Sequence, residues 1–319
     1  AGFHLSELYS PWESLSEMVS GFLANKNLPE TLKTWVNTSL GECWEPKAES
    51  LEHEAVFSKC EKYASEVPSG VLVLTAGVDV QDNRIEVEIL GTGLGYETWS
   101  IDYQIFVGDP SLSTVWDQVD ALLEKRYKHE SGLELRILRV CVDSGFQKQL
   151  VERFCNPREI RGVYSVKGVA GTGRPLVSLS RKKQKGGTSL VLVGVDTAKE
   201  DLYNRLKIEN KGPGFCHFPI AEPYTEEYFK QLTSEKVVTK FKNGRPHRMW
   251  IAKRSRNEAL DCRIYAMAAL EILNPNLKKL NENMTAHIEK LNEKKMNKPK
   301  PQNNILNQRR TRGQKDYVN

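Results

Sequence analysis

The chain has 319 residues, of which 39% are hydrophobic and 27% charged, a composition typical of a folded domain with a real core and not of a disordered chain. No apolar run approaches the roughly 20 residues that a membrane-spanning helix needs, and no signal peptide opens the chain, so we expect no transmembrane segment and no membrane partner. The six cysteines are scattered without a C-x-x-C pair, which favours a reducing, intracellular setting.

The formal net charge of +5 is distributed unevenly. From Asn276 onward there are 11 Lys and Arg against 4 Asp and Glu, a balance of +7, so the rest of the chain carries 5 − 7 = −2. This distribution argues against a protein that covers DNA with a uniformly basic surface.

Residues 1–66 are predicted to be helical and irregular, with amphipathic spacing over 14–23 and 28–40 and with prolines between these stretches. The segment lacks strand signals, which is typical of a linker or of the end of another domain. The chain opens on Ala1 without an initiator Met, so we expect a fragment of something longer.

Residues 67–275 alternate between strand and helix patterns. The predicted strands are 71–79, 84–92, 96–107, 135–143, 161–167 and 189–195, with a strand pair around 236–252. The predicted helices are 113–128, 146–155, 197–208, 224–233 and 255–273. This order predicts an α/β fold in which helices cover a mixed sheet, with the ends of the first and fourth strands close together. Residues 276–319 are predicted to be a basic, largely disordered tail, with room for a short helix over 276–296.

Three acidic residues occupy special places in these elements. Asp79 ends the apolar run 71–79, Asp143 ends the run 137–143, and Asp261 lies in the helix pattern that begins near Asn257. A charge that closes a buried strand is costly unless something pairs with it. Carboxylate oxygens are the ligands that Mg²⁺ and Mn²⁺ prefer, and two such ions about 4 Å apart can drive phosphodiester cleavage. We therefore interpret Asp79, Asp143 and Asp261, the site aspartates, as catalytic metal ligands.

Glu258 lies three residues before Asp261 on the same side of the predicted helix, which makes it a candidate fourth ligand or a group just outside the ligand shell.

Two of the site aspartates also have a structural interpretation. Asp143 precedes Ser144-Gly145 and could form a capping turn, and Asp79 could pair with an arginine. If all three converge, unit charges about 4 Å apart at an effective dielectric near 20 repel by about 4 kcal/mol per pair. A cation must then bind, or the pKa values of the carboxyl groups must rise.

The glycine-rich stretches do not indicate a nucleotide site. Residues 91–95 join two strands, and residues 168–174 lack the Gly-Lys-Ser/Thr ending of a phosphate-binding loop. We expect residues 168–174 to be a flexible loop beside the site, and no ATP-binding motif is present in the sequence. Cys216-His217 lacks zinc-site spacing, which favours a structural role.

Basic residues near these elements could hold phosphate groups, although a charge run is usually a solvated face. Lys167 ends a predicted strand, and Arg254 and Arg256 directly precede the acidic helix. A dense group, which we name the basic hairpin group, is predicted to lie in an exposed, mobile hairpin or loop. Its members are Arg181, Lys182, Lys183 and Lys185.

Five short motifs stand out together. They are Tyr9-Ser-Pro-Trp12, Trp35-Val-Asn-Thr-Ser-Leu-Gly-Glu42, Ala76-Gly-Val-Asp-Val-Gln81, Val142-Asp-Ser-Gly145 and Asn257-Glu-Ala-Leu-Asp-Cys262. In combination they resemble the large terminase subunit of tailed phages, in its lambda-type group. The likeness runs over about residues 5–275. In this family an ATPase motor precedes a nuclease of RNase H-like fold, and the motor's motifs are missing here. The resemblance therefore implies the nuclease portion, with 1–66 as a linker after a missing ATPase domain.

The resemblance also implies a function. Asp79, Asp143 and Asp261 fall where such nucleases carry their metal-binding acids, whereas the fourth group, Glu258 here, varies among them. The implied activity is metal-dependent cutting of concatemeric double-stranded DNA during genome packaging in the host cytoplasm. The implied partners are the small terminase subunit and the portal protein. The alternatives are another nuclease of the same fold, such as a Holliday-junction resolvase or an RNase H, and a non-catalytic portal or packaging module.

Overall fold

One large mixed sheet forms the framework of the fold. The computed structural model describes residues 5–26, 29–42, 51–183, 189–242 and 245–296. Within these residues the strands are β1 (Cys60–Glu61), β2 (Val73–Val80), β3 (Arg84–Thr92), β4 (Thr98–Val107), β5 (Arg126–Lys128), β6 (Glu134–Asp143), β7 (Val163–Val169), β8 (Val177–Lys183), β9 (Ser189–Gly194), β10 (Cys216–Pro219), β11 (Glu235–Lys242) and β12 (Arg245–Ala252).

Helices pack on both faces of this sheet. Over residues 5–275 they are α1 (Leu15–Asn25), α2 (Pro29–Trp35), α3 (His53–Phe57), α4 (Ser113–Glu124), α5 (Lys148–Cys155), α6 (Val195–Leu206), α7 (Glu226–Leu232) and α8 (Glu258–Leu273). A second unit begins at Asn276 and contains α9 (Leu277–Met296). No described helix combines the length and hydrophobicity that crossing a bilayer would need.

The strand order of the sheet is β1-β10-β4-β3-β2-β6-β7-β9-β8, with β5 paired to the free part of β6. Strands β2, β3 and β4 form an antiparallel meander, while β2, β6, β7 and β9 run parallel to one another. Strands β11 and β12 form a separate hairpin. The predicted α/β fold, a mixed sheet flanked by helices, is confirmed.

The central strand β2 faces a different layer on each side. Leu74, Ala76 and Val78 belong to the same core as residues of α4 and α5, while the alternate residues of β2 face α8. There the backbones approach so closely that a Cβ on Gly77 would lie 1.9 Å from the carbonyl oxygen of Cys262. Only glycine fits at this position, and the contact places the first turn of α8 against the end of β2.

The strand register brings the two acidic strand ends together. Val78 of β2 is the partner of Val142 of β6 in a parallel pair, so Asp79 and Asp143 follow at the same edge of the sheet. Asp143 is in turn the partner of Val166 of β7. The predicted proximity of the first and fourth strand ends therefore holds for β2 and β6.

Several predicted boundaries need correction. The helix predicted over 113–128 ends at Glu124, because Arg126–Lys128 pairs with the start of β6 and buries Tyr127 completely. The predicted loop over 168–174 begins inside β7. Strands β8 and β10 were not predicted. β10 pairs with β1 and β4, which are distant along the chain, and β8 pairs with β9. Strand β1 also lies within residues 1–66, where no strand was expected, and pairs with β10.

Candidate active site

Three buried or half-buried carboxyl groups lie at one edge of the sheet. Asp79 belongs to β2 and is 3% exposed, Asp143 ends β6, and Asp261 lies in the first turn of α8. The close approach of α8 to Gly77 places Asp261 over the ends of the two strands. The structure therefore gathers the site aspartates from three separate elements into one electrostatically coupled site.

Burial and mutual repulsion raise the pKa values of these groups. Burial raises the pKa of Asp79 to about 7, and the charges of Asp143, Glu258 and Glu86 add to the effect. Burial raises the pKa of Asp261 to about 8, with Asp79 as the largest charge acting in the same direction. Burial also raises the pKa of Asp143. Such coupled carboxyl groups bind a cation or retain protons.

Hydrogen-bond donors fix the orientation of each carboxyl group. The side-chain amide of Gln81 donates to Asp79 over 2.6 Å, and that of Asn257 donates to Asp261 over 2.9 Å. Asp143 accepts the backbone N–H of Gly145 over 3.1 Å. The capping turn that the sequence offered as an alternative role for Asp143 is therefore present. It uses one carboxylate oxygen of Asp143, and the charge of the same carboxyl group also acts on Asp79 and Asp261.

Tyr265 completes the support of Asp143. Its hydroxyl group donates to the Asp143 carboxylate, while burial raises the pKa of Tyr265 well above its ordinary value, so the phenol is a neutral donor. The Lys167 ammonium group also lowers the pKa of Asp143, which places this predicted phosphate-binding residue beside the site.

A buried ion pair lies behind Asp261. The Lys199 ammonium group contacts both carboxylate oxygens of Glu235 at 2.7 Å. Lys199 lowers the pKa of Asp261 and Glu235 raises it, so the two charges of the pair have opposing effects on this carboxyl group. Its role is to connect α6 with β11 behind the acidic helix.

Glu258 is engaged by arginines. Arg84 donates to Glu258 and, over 2.7 Å, to the fully buried Glu86. Arg256 contacts the same two carboxylates at 3.3 and 3.1 Å. Asp79 and Glu86 are direct partners in the β2–β3 pair, where two like charges would be unfavourable without these guanidinium groups. Glu258 therefore lies beside the site, but its oxygens are held by two cations.

The chemistry of the donors fits a hard divalent cation. All three site aspartates offer oxygen ligands, and their mutual repulsion is the interaction that a positive ion would relieve. Among the described residues, no three or more Asp, Glu, His or Cys side chains are already grouped tightly enough to hold an ion. The fit thus rests on donor type and electrostatics.

The predicted phosphate-binding residues are placed differently from one another. Lys167 and Arg256 lie beside the acids, while Arg254 is exposed in the loop before α8. For the basic hairpin group, the backbone of Arg181–Lys183 ends β8, which pairs with β9. Lys185 lies outside the described residues.

Sequence reasoning missed several residues of the site. Asn257 and Tyr265 lie four positions before and after Asp261, so helix periodicity could have found both. Gln81 shares a strand face with Asp79 by the two-residue period. The sequence gave no such signal for the contacts of Arg84 with Glu258 and of Glu86 with Arg256. These contacts join β3 to α8 and the loop before it, and they form only in the folded chain.

Comparison with known proteins supplies a family. Residues 1–283 match the family model of the terminase large subunit gpA, endonuclease domain. The terminase large subunit of Escherichia phage lambda is 38% identical over 277 residues, and that of Enterobacteria phage P21 is 36% identical over 278 residues. Each alignment covers 85% of this chain but 43% of the relative, so the chain spans less than half the length of these relatives.

Two solved structures are similar at low sequence identity. The g2p (large terminase) nuclease domain of bacteriophage SPP1, with bound Mn, has a TM-score of 0.35 and 11% identity, covering 66% of this chain and 96% of that one. The large terminase of bacteriophage HK97 has a TM-score of 0.36 and 12% identity, covering 82% of this chain and 51% of that one.

Proposed function

Because the chain belongs to the family of the terminase large subunit gpA endonuclease domain, we propose that it is a divalent-metal-dependent endonuclease that cuts concatemeric double-stranded DNA during phage genome packaging. The observation that supports this most directly is the coupled set of site aspartates at the edge where β2 and β6 end. Buried acidic side chains with raised pKa values are typical of functional sites.

Asp79, Asp143 and Asp261 would hold Mg²⁺ or Mn²⁺, as a site for two ions. When bound, these ions supply positive charge to the reacting phosphate and activate a water for attack. The protein's part is orientation. Gln81 and Asn257 hold two of the carboxyl groups, and Tyr265 holds the third.

Glu258 acts in this proposal from outside the ligand set or after a rearrangement, since Arg84 and Arg256 hold both of its oxygens. Its net effect in the present arrangement is to anchor the first turn of α8 to β3. This anchoring positions Asp261, which lies three residues later on the same helix.

Positive groups beside the acids would hold the DNA backbone. Lys167 and Arg256 are close enough to influence the site, and Arg254 is exposed in the loop before α8. Phosphate contacts of this kind give position without sequence preference. The basic hairpin group would guide the scissile strand, and the basic unit that begins at Asn276 would add sequence-independent attraction to phosphates.

Cleavage of supercoiled plasmid tests the proposal. The wild-type chain should nick or linearise plasmid in Mg²⁺ or Mn²⁺ and should stop in EDTA. Asp143→Asn, which keeps shape but removes a charge, should be inactive while retaining the folded far-UV circular dichroism spectrum of wild type. Asp117→Asn on the outer side of α4 is the matched control and should cut normally. Equal activity of Asp143→Asn and wild type would remove Asp143 from the mechanism.

A second candidate function is a non-catalytic packaging module. It is favoured by one observation, that Glu258 is occupied and the acids of the described residues do not already form a closed ion site. The plasmid assay separates the two, since a binding module would retain DNA without cutting it in any divalent cation. A preference for four-way junctions or for RNA–DNA hybrids over duplex DNA would instead indicate a resolvase or an RNase H.

The remaining assignments extend the same proposal. The partners would be the small terminase subunit and the portal protein, and the place of action would be the host cytoplasm. Residues 1–66 would act as the connection to an ATPase domain, residues 67–275 as the nuclease, and residues 276–319 as a basic tail.

A further inference from the structure

A cavity of about 560 Å³ lies at the opposite end of the parallel strands from the site aspartates. Arginines form much of its wall, and we name it the arginine cavity. They are Arg126, Arg136, Arg139 and Arg161. Arg136 and Asp143 lie seven residues apart on β6, which at about 3.3 Å per residue separates them by about 23 Å.

Two of these arginines face each other without compensation. Arg126 of β5 and Arg136 of β6 are direct partners in an antiparallel pair, and both are exposed. Like charges directly opposite each other are unfavourable, and within the described part of the chain neither guanidinium group forms an ion pair. An anion lying between the two guanidinium groups would relieve this repulsion.

A third arginine has an unmet donor. The Nη1 of Arg139 donates to the carbonyl of the neighbouring Leu138 over 2.7 Å, while its Nε is buried without a partner. Its guanidinium group packs over Gly162, where a Cβ would lie 2.9 Å from Nη1 and the backbone has φ 86°. Buried donors normally have partners, so among the described residues the Nε of Arg139 is an unmet donor within a residue that lines the cavity.

The fourth arginine and its neighbours define the rim. Arg161 is already paired with Asp120 and Glu124, so it closes the wall and leaves the other three guanidinium groups to a ligand. Beside it Ile160 is 96% exposed, and Ile137 and Val163 contribute apolar lining. The site therefore presents positive charge next to an unshielded aliphatic side chain.

We propose that the arginine cavity binds an acidic peptide segment of a partner protein, with carboxylates between Arg126 and Arg136 and an apolar side chain against Ile160. Carboxylates match the paired donors of a guanidinium group. A nucleic acid also offers oxyanions, but it offers no aliphatic group for Ile160. A duplex held at the site aspartates would moreover lie at the other end of the sheet. The inference stands without the nuclease activity.

Fluorescence polarisation with a labelled peptide of alternating Glu and Leu residues tests the site. Replacing both Arg126→Ser and Arg136→Ser should weaken peptide binding by about tenfold or more, since two charge-assisted contacts are lost. Arg153→Ser on α5, an exposed arginine outside the cavity, should bind as wild type does. The conservative Arg136→Gln alone should give a smaller loss and guards against misfolding of the double variant.

Plasmid cleavage by all three variants should equal that of wild type, which separates this site from the proposed nuclease. Equal peptide affinity of the double variant and wild type would overturn the proposal, as would the absence of peptide binding by wild type. A labelled DNA duplex that loses as much affinity as the peptide in the double variant would show that the cavity binds nucleic acid instead.

Discussion

The raised pKa of Asp261 makes a definite prediction about stability in the absence of metal. The folded-state pKa is about 8 against an ordinary value of 3.8, so the folded chain binds more protons than the unfolded chain between these limits. Stability must then fall as pH rises from about 4 to about 8, since its slope follows the difference in bound protons.

The expected loss of unfolding free energy is large. One pKa unit corresponds to about 1.4 kcal/mol, so between about pH 5 and about pH 8 Asp261 alone would remove on the order of 4 kcal/mol of unfolding free energy. This figure is an upper bound because Asp79 shares the same repulsion and titrates with it. The loss is still a large fraction of the roughly 5–15 kcal/mol that stabilises a typical domain.

Urea unfolding in EDTA at several pH values, followed by tryptophan fluorescence, measures the effect. Asp261→Asn keeps the oxygen that accepts from Asn257 but cannot ionise, so the variant should lose much less stability than wild type between about pH 5 and about pH 8. Asp117→Asn is the control and should follow the wild-type profile. Parallel profiles for wild type and Asp261→Asn would refute the claim that Asp261 is a buried, repelled carboxylate.

Three further outcomes are expected. Mn²⁺ at about 100 times its Kd should stabilise the chain by about 2.7 kcal/mol, and melting curves of a variant with alanine at all three site aspartates should lack this response; an equal shift in both would mean that the ion binds elsewhere. Truncation before Asn276 should weaken DNA affinity and its salt dependence in filter binding, yet leave cleavage at saturating DNA nearly unchanged. Alanine at every position of the basic hairpin group should instead impair cleavage itself. A truncated chain that cannot cut at saturating DNA would show that the domain boundary is misplaced. Gly77→Ala should cost about 3 kcal/mol or more in urea unfolding, because its Cβ would overlap the backbone of α8; wild-type stability would show that α8 packs elsewhere.

The sequence predicted the parts of the site that depend on local pattern. Apolar runs ending in Asp79 and Asp143 are adjacent parallel strands, so their ends meet, as the strand order implied. The helix pattern around Asp261 was equally clear. These signals are local, and the parallel pairing of β2 with β6 places the two strands side by side.

The rest depended on tertiary contacts. Glu86 and Glu88 alternate with apolar residues in β3, which is the pattern of a strand with one solvated face, yet both are fully buried. They are tolerated because Arg84, two residues from Glu86 on β3, and Arg256 and the buried Arg263, from the loop before α8 and from α8 itself, pair with them. No spacing in the sequence announces the pairs between β3 and the region of α8, so the engagement of Glu258 by Arg84 could not be foreseen.

The position of α8 at the end of the first unit has a consequence for synthesis of the chain. Ribosomes release a protein from its N-terminus, so β2, β6 and β7 emerge long before residue 261. Until α8 has emerged and docked on Gly77, Asp79 and Asp143 lack their third partner and the anchoring of its first turn. If the proposed nuclease function holds, a nascent or prematurely ended chain would carry nearly the whole sheet and still be unable to cut DNA, because Asp261 arrives only with the last helix of the unit.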